Sequence, residues 1–204
     1  MCATLKRTRL GAPTVALESP TYVLYAARMA AKPIFYAVWP TAWGPVGGVA
    51  DADGLRQFIL PHYSLADLKA LLAFENKGAA ENPSAFAELA ELTRQYFNGQ
   101  SVDFSAVACH MPGEATLAGM VLRYCRGIPY GQTVSYSRLA QLIEKPDAAR
   151  AVASALGRNA IPLIIPCHRV VYAGGKLGGF SAPGGEDLKR RMLTLEKATA
   201  GPKP

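Results

Sequence analysis

The run IPLIIPCHRVV, residues 161–171, sets a thiol, an imidazole and a guanidinium side by side after an apolar stretch. Cys167 is the residue type for nucleophilic displacement, because a thiolate attacks carbon far better than a neutral side chain. A lone cysteine is more often a small core residue, so its neighbours decide between the two readings. Pro166 fixes the local backbone, and His168 and Arg169 supply positive potential that lowers a thiol pKa. The Gly-rich stretch Ala173–Gly185 can line a pocket. The apolar run Ile161–Ile165 reads as a buried strand, and neighbours on an extended strand point to opposite faces. His168 therefore acts on Cys167 only if the chain turns there or a water bridges them, and a turn is the expectation.

A second Cys-His pair, Cys109-His110, raises zinc as an alternative use of these residues. Adjacent residues rarely chelate one ion well, and the two-to-four-residue spacing of zinc ligands is absent. Cys2 and His62 do not complete a set. The four cysteines, Cys2, Cys109, Cys125 and Cys167, are too scattered for a disulfide framework and include no C-x-x-C. Reduced thiols with no metal and no cofactor are expected. A cysteine hydrolase would need a base facing the thiol and an oxyanion hole, and nothing outside the PCHR block argues for one.

The elements that must position Cys167 follow from periodicity and punctuation. Residues 32–48 mix β-branched and aromatic residues with Pro and Gly, and Gly54–Leu60 follows as another strand, so a small sheet is expected. Phe86, Leu89, Leu92 and Phe97 recur at helical spacing from Ser84 to Phe97, before the stop signal Asn98-Gly99. Residues 100–113 read as a connector. Helices are expected over Glu114–Arg126, with Leu117, Val121, Leu122 and Cys125 on one face, and over Ser137–Glu144, with Leu139, Leu142 and Ile143 inward. A third begins near Pro146, where a first helical position tolerates proline, and runs to Gly157. The last two, joined by a tight turn, have the outline of a helix-turn-helix. The second carries Arg150 among Ala148, Ala149, Ala151, Ala153, Ser154 and Ala155. Small side chains of this kind serve equally for approach to a DNA groove or for packing on a neighbouring helix.

Composition bounds the class. The chain has 204 residues, half of them hydrophobic, which suits one core or two small ones. No apolar run approaches the roughly 20 residues of a membrane span, so a soluble, cytoplasmic protein without membrane contact is expected. The net charge of +7 is one-sided: residues 116–204 carry 13 Lys and Arg against 5 Asp and Glu, and residues 1–115 carry 9 against 10. A basic half suits a polyanion, since each cation that neutralises a phosphate releases counterions.

The block IPCHRVV, preceded by IPYGQTVSYSRLA and AARAVASALGRN and followed by GGFSAPGG and LTLE, resembles the O6-alkylguanine-DNA alkyltransferases, the methylated-DNA–protein-cysteine S-methyltransferases. The resemblance covers Ile128 to Glu196 in order and spacing, is looser over residues 34–115, and is absent from residues 1–33. It implies an α/β (α+β) fold: a ribonuclease-H-like N-terminal domain over residues 1–113, then a winged helix-turn-helix-like catalytic and DNA-binding domain over residues 114–204. It implies repair by irreversible, single-turnover transfer of an alkyl group from O6-alkylguanine, and by extension O4-alkylthymine, to Cys167 after base flipping. The partner is double-stranded DNA, bound by a monomer or by several copies assembling along it.

By the same resemblance His168 is a water-linked base, Glu196 the carboxylate that orients it, and Asn159 the brace of the active-site turn. Tyr136 hydrogen-bonds the flipped guanine, the Ser181 N–H meets O6, and the Val170 and Cys167 carbonyls accept from the exocyclic amine. Leu156, Gly178 and Phe180 line the pocket. Arg150 fills the vacated stack, and Ser135, Ser137, Ala148, Ala149, Ala153 and Gly157 face DNA. The chain departs from the family's pattern at Ala153-Ser154, at Leu156-Gly157-Arg158, at Phe180 in place of a common tyrosine, and in a slightly longer SAPGG loop. A binding-only relative would lack the acceptor cysteine, and a regulator would show a further sensor or DNA-binding domain.

Overall fold

The computed structural model describes residues 32–199; Cys2 and the basic N-terminal stretch lie outside them. The sheet expected from residues 32–60 forms as three antiparallel strands, β1 (Phe35–Thr41), β2 (Gly44–Asp51) and β3 (Gly54–Ile59). A short parallel strand β4 (Ala80–Glu81) completes the order β3-β2-β1-β4. The period of two along β1 sends Ala37 and Trp39 to one face and Tyr36 and Val38 to the other, where helix α1 (Leu65–Glu75) covers them with Leu68 and Leu72.

On the first face lies helix α2 (Ala87–Phe97), entered through a 3-10 turn at Pro83–Phe86. The Trp39 indole N–H donates to the buried Thr93 hydroxyl at 2.8 Å, and the Trp39 ring packs on Phe58 and Phe86. The connector adds to the edge of β3: Leu55 N–H donates to the Ala108 carbonyl, and its own carbonyl accepts from His110 N–H, both at 2.8 Å. Further along the same edge Phe58 N–H donates to the Ala160 carbonyl at 2.9 Å, which ties the sheet to the loop before Cys167.

The second layer is helical. Helix α3 (Leu117–Arg126) begins three residues after the expected Glu114, because the Thr116 side chain accepts from Gly119 N–H at 3.0 Å and caps the helix there. A short parallel pair, β5 (Val134–Ser135) and β6 (Val170–Val171), flanks helix α4 (Tyr136–Leu142), whose N-cap is Ser135. Leu139 and Ile143 point inward as expected, but Leu142 is among the exposed apolar side chains. The helix ends at Leu142, and the left-handed Glu144 (φ 59°) reverses the chain so that only Ile143 closes over the core.

Pro146 starts a 3-10 turn, Pro146–Ala148, that leads into α5 (Ala149–Gly157), completing the helix-turn-helix. The last helix is α6 (Gly185–Thr199). Residues of the sheet layer (Trp39, Phe58, Tyr96) and of the helical layer (Val121, Leu139, Val152, Ile164) belong to one continuous core.

One expectation fails on the backbone path. The run Ile161–Ile165 is buried but is a turn, closed by Ile165 N–H on the Ile161 carbonyl at 3.0 Å with Leu163 at φ 75°. Hydrophobicity alone cannot separate a buried turn of this length from a buried strand. The sheet-layer helix also carries a core residue its apolar pattern did not single out, Tyr96, which is fully buried.

Gly119, in the first turn of α3, sits against the carbonyls of Gly113 and Pro112, where a methyl group has no room. Gly119→Ala should therefore cost about 1–3 kcal/mol through overpacking despite alanine's higher helix propensity. A denaturant midpoint equal to or above that of the parent protein would show that the connector yields freely.

Candidate active site

Cys167 opens a 3-10 turn, Cys167–Arg169, so the chain does turn at the Cys-His pair. Asn159, just after α5, holds this turn from three sides. Its amide nitrogen donates to the Ile165 carbonyl at 2.9 Å and to Cys167 Sγ at 3.2 Å, while its side-chain oxygen accepts from Ile161 N–H at 3.0 Å.

His168 is fully buried, with Nε2 2.7 Å from Glu196 Oε1 on α6. Its other ring nitrogen, Nδ1, is buried with no hydrogen-bond partner among the described residues. Burial pushes the His168 imidazole below its usual value, against the pull of Glu196. Burial also pushes the Glu196 carboxyl up, but the hydrogen bond and charge of His168, joined by Arg169, outweigh it and bring the group down to about 2. With Glu196 ionised and His168 neutral, the ring proton belongs on Nε2 and Nδ1 is a bare acceptor.

Cys167 is buried too, and burial raises its thiol above the ordinary value, with the Asn159 hydrogen bond and the Lys189 charge acting in the opposite direction. At rest the pair is a neutral thiol beside a neutral imidazole. The positive potential expected from Arg169 goes elsewhere: Arg169 donates from Nε and Nη2 to Glu196 at 3.0 Å and from Nη1 to the Ile128 carbonyl at 2.6 Å. The cation near the thiol is Lys189, fully buried on α6, with Nζ 2.7 Å from the Val170 carbonyl.

A cavity of about 400 Å³ opens on Cys167 and is lined by Tyr136, Leu156, Tyr172, Phe180 and Ser181. Gly178 packs on the Tyr136 ring beside it. Burial, the first of several causes, lifts the Tyr136 hydroxyl to about 12, so it is a hydrogen-bond donor at neutral pH. A second cavity, about 370 Å³, reaches Cys167 between β3 and the Asn159 and Ser181 loops. On the helix-turn-helix, Arg150, Ser137 and Gly157 are exposed and Ser135, Ala148, Ala149 and Ala153 half-buried, so the residues expected against DNA are small ones and the Arg150 guanidinium. Ser135 also has a local task, accepting from Arg138 N–H as the cap of α4.

Three residues of the site were not singled out from the sequence. Tyr96 donates its hydroxyl to Glu196 Oε1 at 2.9 Å across the layers, Lys189 is buried, and Tyr172 lines the cavity. Only the interleaved buried side of α6, where Lys189 and Glu196 are seven residues apart, carried a trace of this pattern in the sequence. Away from the thiol, Asp51, Asp53 and His110 bring ligand-type atoms within 4.8 Å of one another, and His110 Nε2 lies 2.8 Å from Asp51. Cys109 instead turns its thiol to the Val107 carbonyl at 3.3 Å.

A buried thiol under a cavity beside a helix-turn-helix defines a class of DNA-directed, cysteine-based proteins. Residues 117–198 match the model of the 6-O-methylguanine DNA methyltransferase DNA-binding domain. The methylated-DNA–protein-cysteine methyltransferase of Mycolicibacterium paratuberculosis is 42% identical over 120 residues, 59% of this chain and 70% of that protein. The one from Methanosarcina acetivorans is 32% identical over 163 residues, 80% and 98% of the two chains. The structure of Mycobacterium tuberculosis O6-methylguanine methyltransferase superposes with a TM-score of 0.67 at 31% identity, covering 83% of this chain and 96% of that one. That of M. tuberculosis OGT in complex with DNA gives 0.68 at 32% identity, covering 81% and 94%. The chain belongs to the methylated-DNA–protein-cysteine methyltransferase family.

The titration of the buried cluster fixes how stability responds to acid. Both His168 and Glu196 have folded pKa values below their ordinary ones, so each contributes stability that is full above its unfolded pKa and lost as pH falls. The His168 share declines below the ordinary histidine value of 6.5, and the Glu196 share between 4.5 and about 2. Denaturant midpoints should fall steadily from about pH 7 to about pH 4; a flat profile over that range would contradict this assignment.

Proposed function

We propose that this protein repairs DNA by moving the alkyl group of an O6-alkylguanine onto Cys167, once per molecule. The observation that carries the reading is the neutral Cys167 thiol at the floor of a cavity, beside a buried imidazole whose bare Nδ1 is backed by Glu196. The target carbon lies inside a duplex, so the base must leave the stack, at a cost of a few kcal/mol. A cavity of about 400 Å³ is within the range of ligand pockets and suits a single nucleobase.

In the proposed step, His168 Nδ1 takes the Cys167 proton through a water, and Glu196 stabilises the imidazolium that forms. Sγ then attacks the alkyl carbon; the S–C bond forms as the C–O6 bond breaks, and its electron pair stays on guanine. The growing charge on guanine is met by the Tyr136 hydroxyl and the Ser181 N–H, and a proton from a neighbouring donor leaves neutral guanine in DNA. The Val170 and Cys167 carbonyls accept from the exocyclic amine, and Leu156, Gly178 and Phe180 complete the pocket wall. The product is a thioether with no easy return path, so the protein is consumed. Asn159 holds the turn and lends a donor to the thiolate as it develops.

The same reading assigns Arg150 to the gap left by the flipped base, with Ser135, Ser137, Ala148, Ala149, Ala153 and Gly157 against the DNA backbone. The layer before residue 114 supports the catalytic one. The protein works as an intracellular monomer, alone or in several copies along one duplex. Among the described residues no helix is long and apolar enough to cross a membrane.

Intact-mass measurement after mixing with duplex DNA that contains O6-methylguanine should show a gain of one methylene, mapped to Cys167 and abolished by Cys167→Ser. Unchanged protein together with unchanged DNA would refute repair. Arg150→Ala should slow reaction with the duplex far more than with free O6-benzylguanine, since only the duplex has a stack to fill. Equal losses on the two substrates would remove Arg150 from that role.

A further inference from the structure

Tyr172 follows β6 by one residue, and the parallel pairing of Ser135 with Val171 sets it beside Tyr136, the first residue of α4. The two rings stand 5.1 Å apart at an interplanar angle of 52°. Tyr136 is 8% exposed and Tyr172 is 53% exposed, so one ring is built into the wall and the other is open.

The open ring is nevertheless held. Tyr172 N–H donates to the Lys176 carbonyl at 2.8 Å, and its own carbonyl accepts from Gly175 N–H at 3.1 Å, which closes a tight loop on its backbone. Gly178, at φ 72°, brings the returning strand of that loop against both tyrosines. A β-carbon there would lie 3.0 Å from Tyr172 Cε2 and 3.1 Å from the Tyr136 hydroxyl. A left-handed glycine at this approach confines the Tyr172 ring without covering it.

A single exposed tyrosine needs no explanation. This one is fixed at its base, confined on one side, open on the other, and lines the cavity that leads to Cys167. An aromatic face that is already ordered and only partly desolvated costs little to present to another flat ring, and nucleobases of any sequence offer one. Charged alternatives are absent from the lining of this cavity, which favours a base over a phosphate at this position.

We propose that Tyr172 is the stacking platform at the pocket mouth, which receives the face of the everted purine and hands it to Tyr136 and Cys167. This rests on the repair reading and adds a base-positioning residue to it. The platform acts on the base itself, so its removal affects a free base as well as a duplex. It acts through the ring, so phenylalanine replaces tyrosine.

The test is the single-turnover rate of Tyr172→Ala and Tyr172→Phe with O6-methylguanine duplex and with free O6-benzylguanine. Alkylation of Cys167 by iodoacetamide and the thermal midpoint serve as controls. Tyr172→Ala should be about 5- to 150-fold slower on both substrates, the ~1–3 kcal/mol of one stacked base at about 1.36 kcal/mol per tenfold. Tyr172→Phe should keep its rate within about twofold, and both controls should stay at wild-type values. Wild-type rates in the alanine variant, a loss confined to the duplex, or equal loss in the phenylalanine variant would each overturn the platform. Parent protein inert toward both substrates would instead overturn the repair reading, and this one with it.

Discussion

Everything around the thiol depends on one buried carboxylate. Glu196 is fully enclosed, and an ionised carboxyl away from water costs several kcal/mol unless its oxygens are satisfied. His168, Arg169, the Tyr96 hydroxyl and the Gly131 N–H all reach it. These groups come from the active-site turn, the sheet-layer helix and the loop before α4, so satisfying one charge fixes three segments against α6. The layers are joined by chemistry that the site itself requires, and for that reason the sheet layer cannot shift without disturbing the proposed base.

The same enclosure sets the resting state of the site. Burial holds the thiol protonated and the imidazole neutral, and the ionised carboxylate on Nε2 leaves Nδ1 as the acceptor nitrogen of the ring. The proposed reaction therefore requires the thiolate to be formed within the enclosed site. Lys189 complements this. It is a buried cation hydrogen-bonded to the Val170 carbonyl, and its positive charge favours an anion at Cys167. Its own pKa is lowered, burial being the largest cause. The family membership and the site chemistry are therefore independent supports: one comes from matched sequence and superposed structures, the other from the protonation states that burial imposes.

The outlines of the elements were legible because they are local. Pro146 and Asp147 marked a helical start, Asn98-Gly99 a helical end, and the β-branched and aromatic residues mixed with Pro and Gly in residues 32–48 a small sheet. Leu142 misled because a two-turn helix ending at a left-handed residue exposes a position that periodicity assigns to the core. Ile161–Ile165 misled for a related reason, since apolarity reports burial and not backbone path.

The sequence by itself put forward Cys167 as the proposed acceptor and determined the helix-turn-helix and the family resemblance, because these reside in contiguous blocks whose order is kept along the chain. It also located Asn159, His168 and Glu196 by those blocks. Only the tertiary structure decided where the charges point. Arg169 sits two residues from the thiol yet serves Glu196; Lys189 and Tyr96, 22 and 71 positions from Cys167, are the ones enclosed around the site. Electrostatic partners are chosen by distance and desolvation in space, and neither quantity is written in sequence separation.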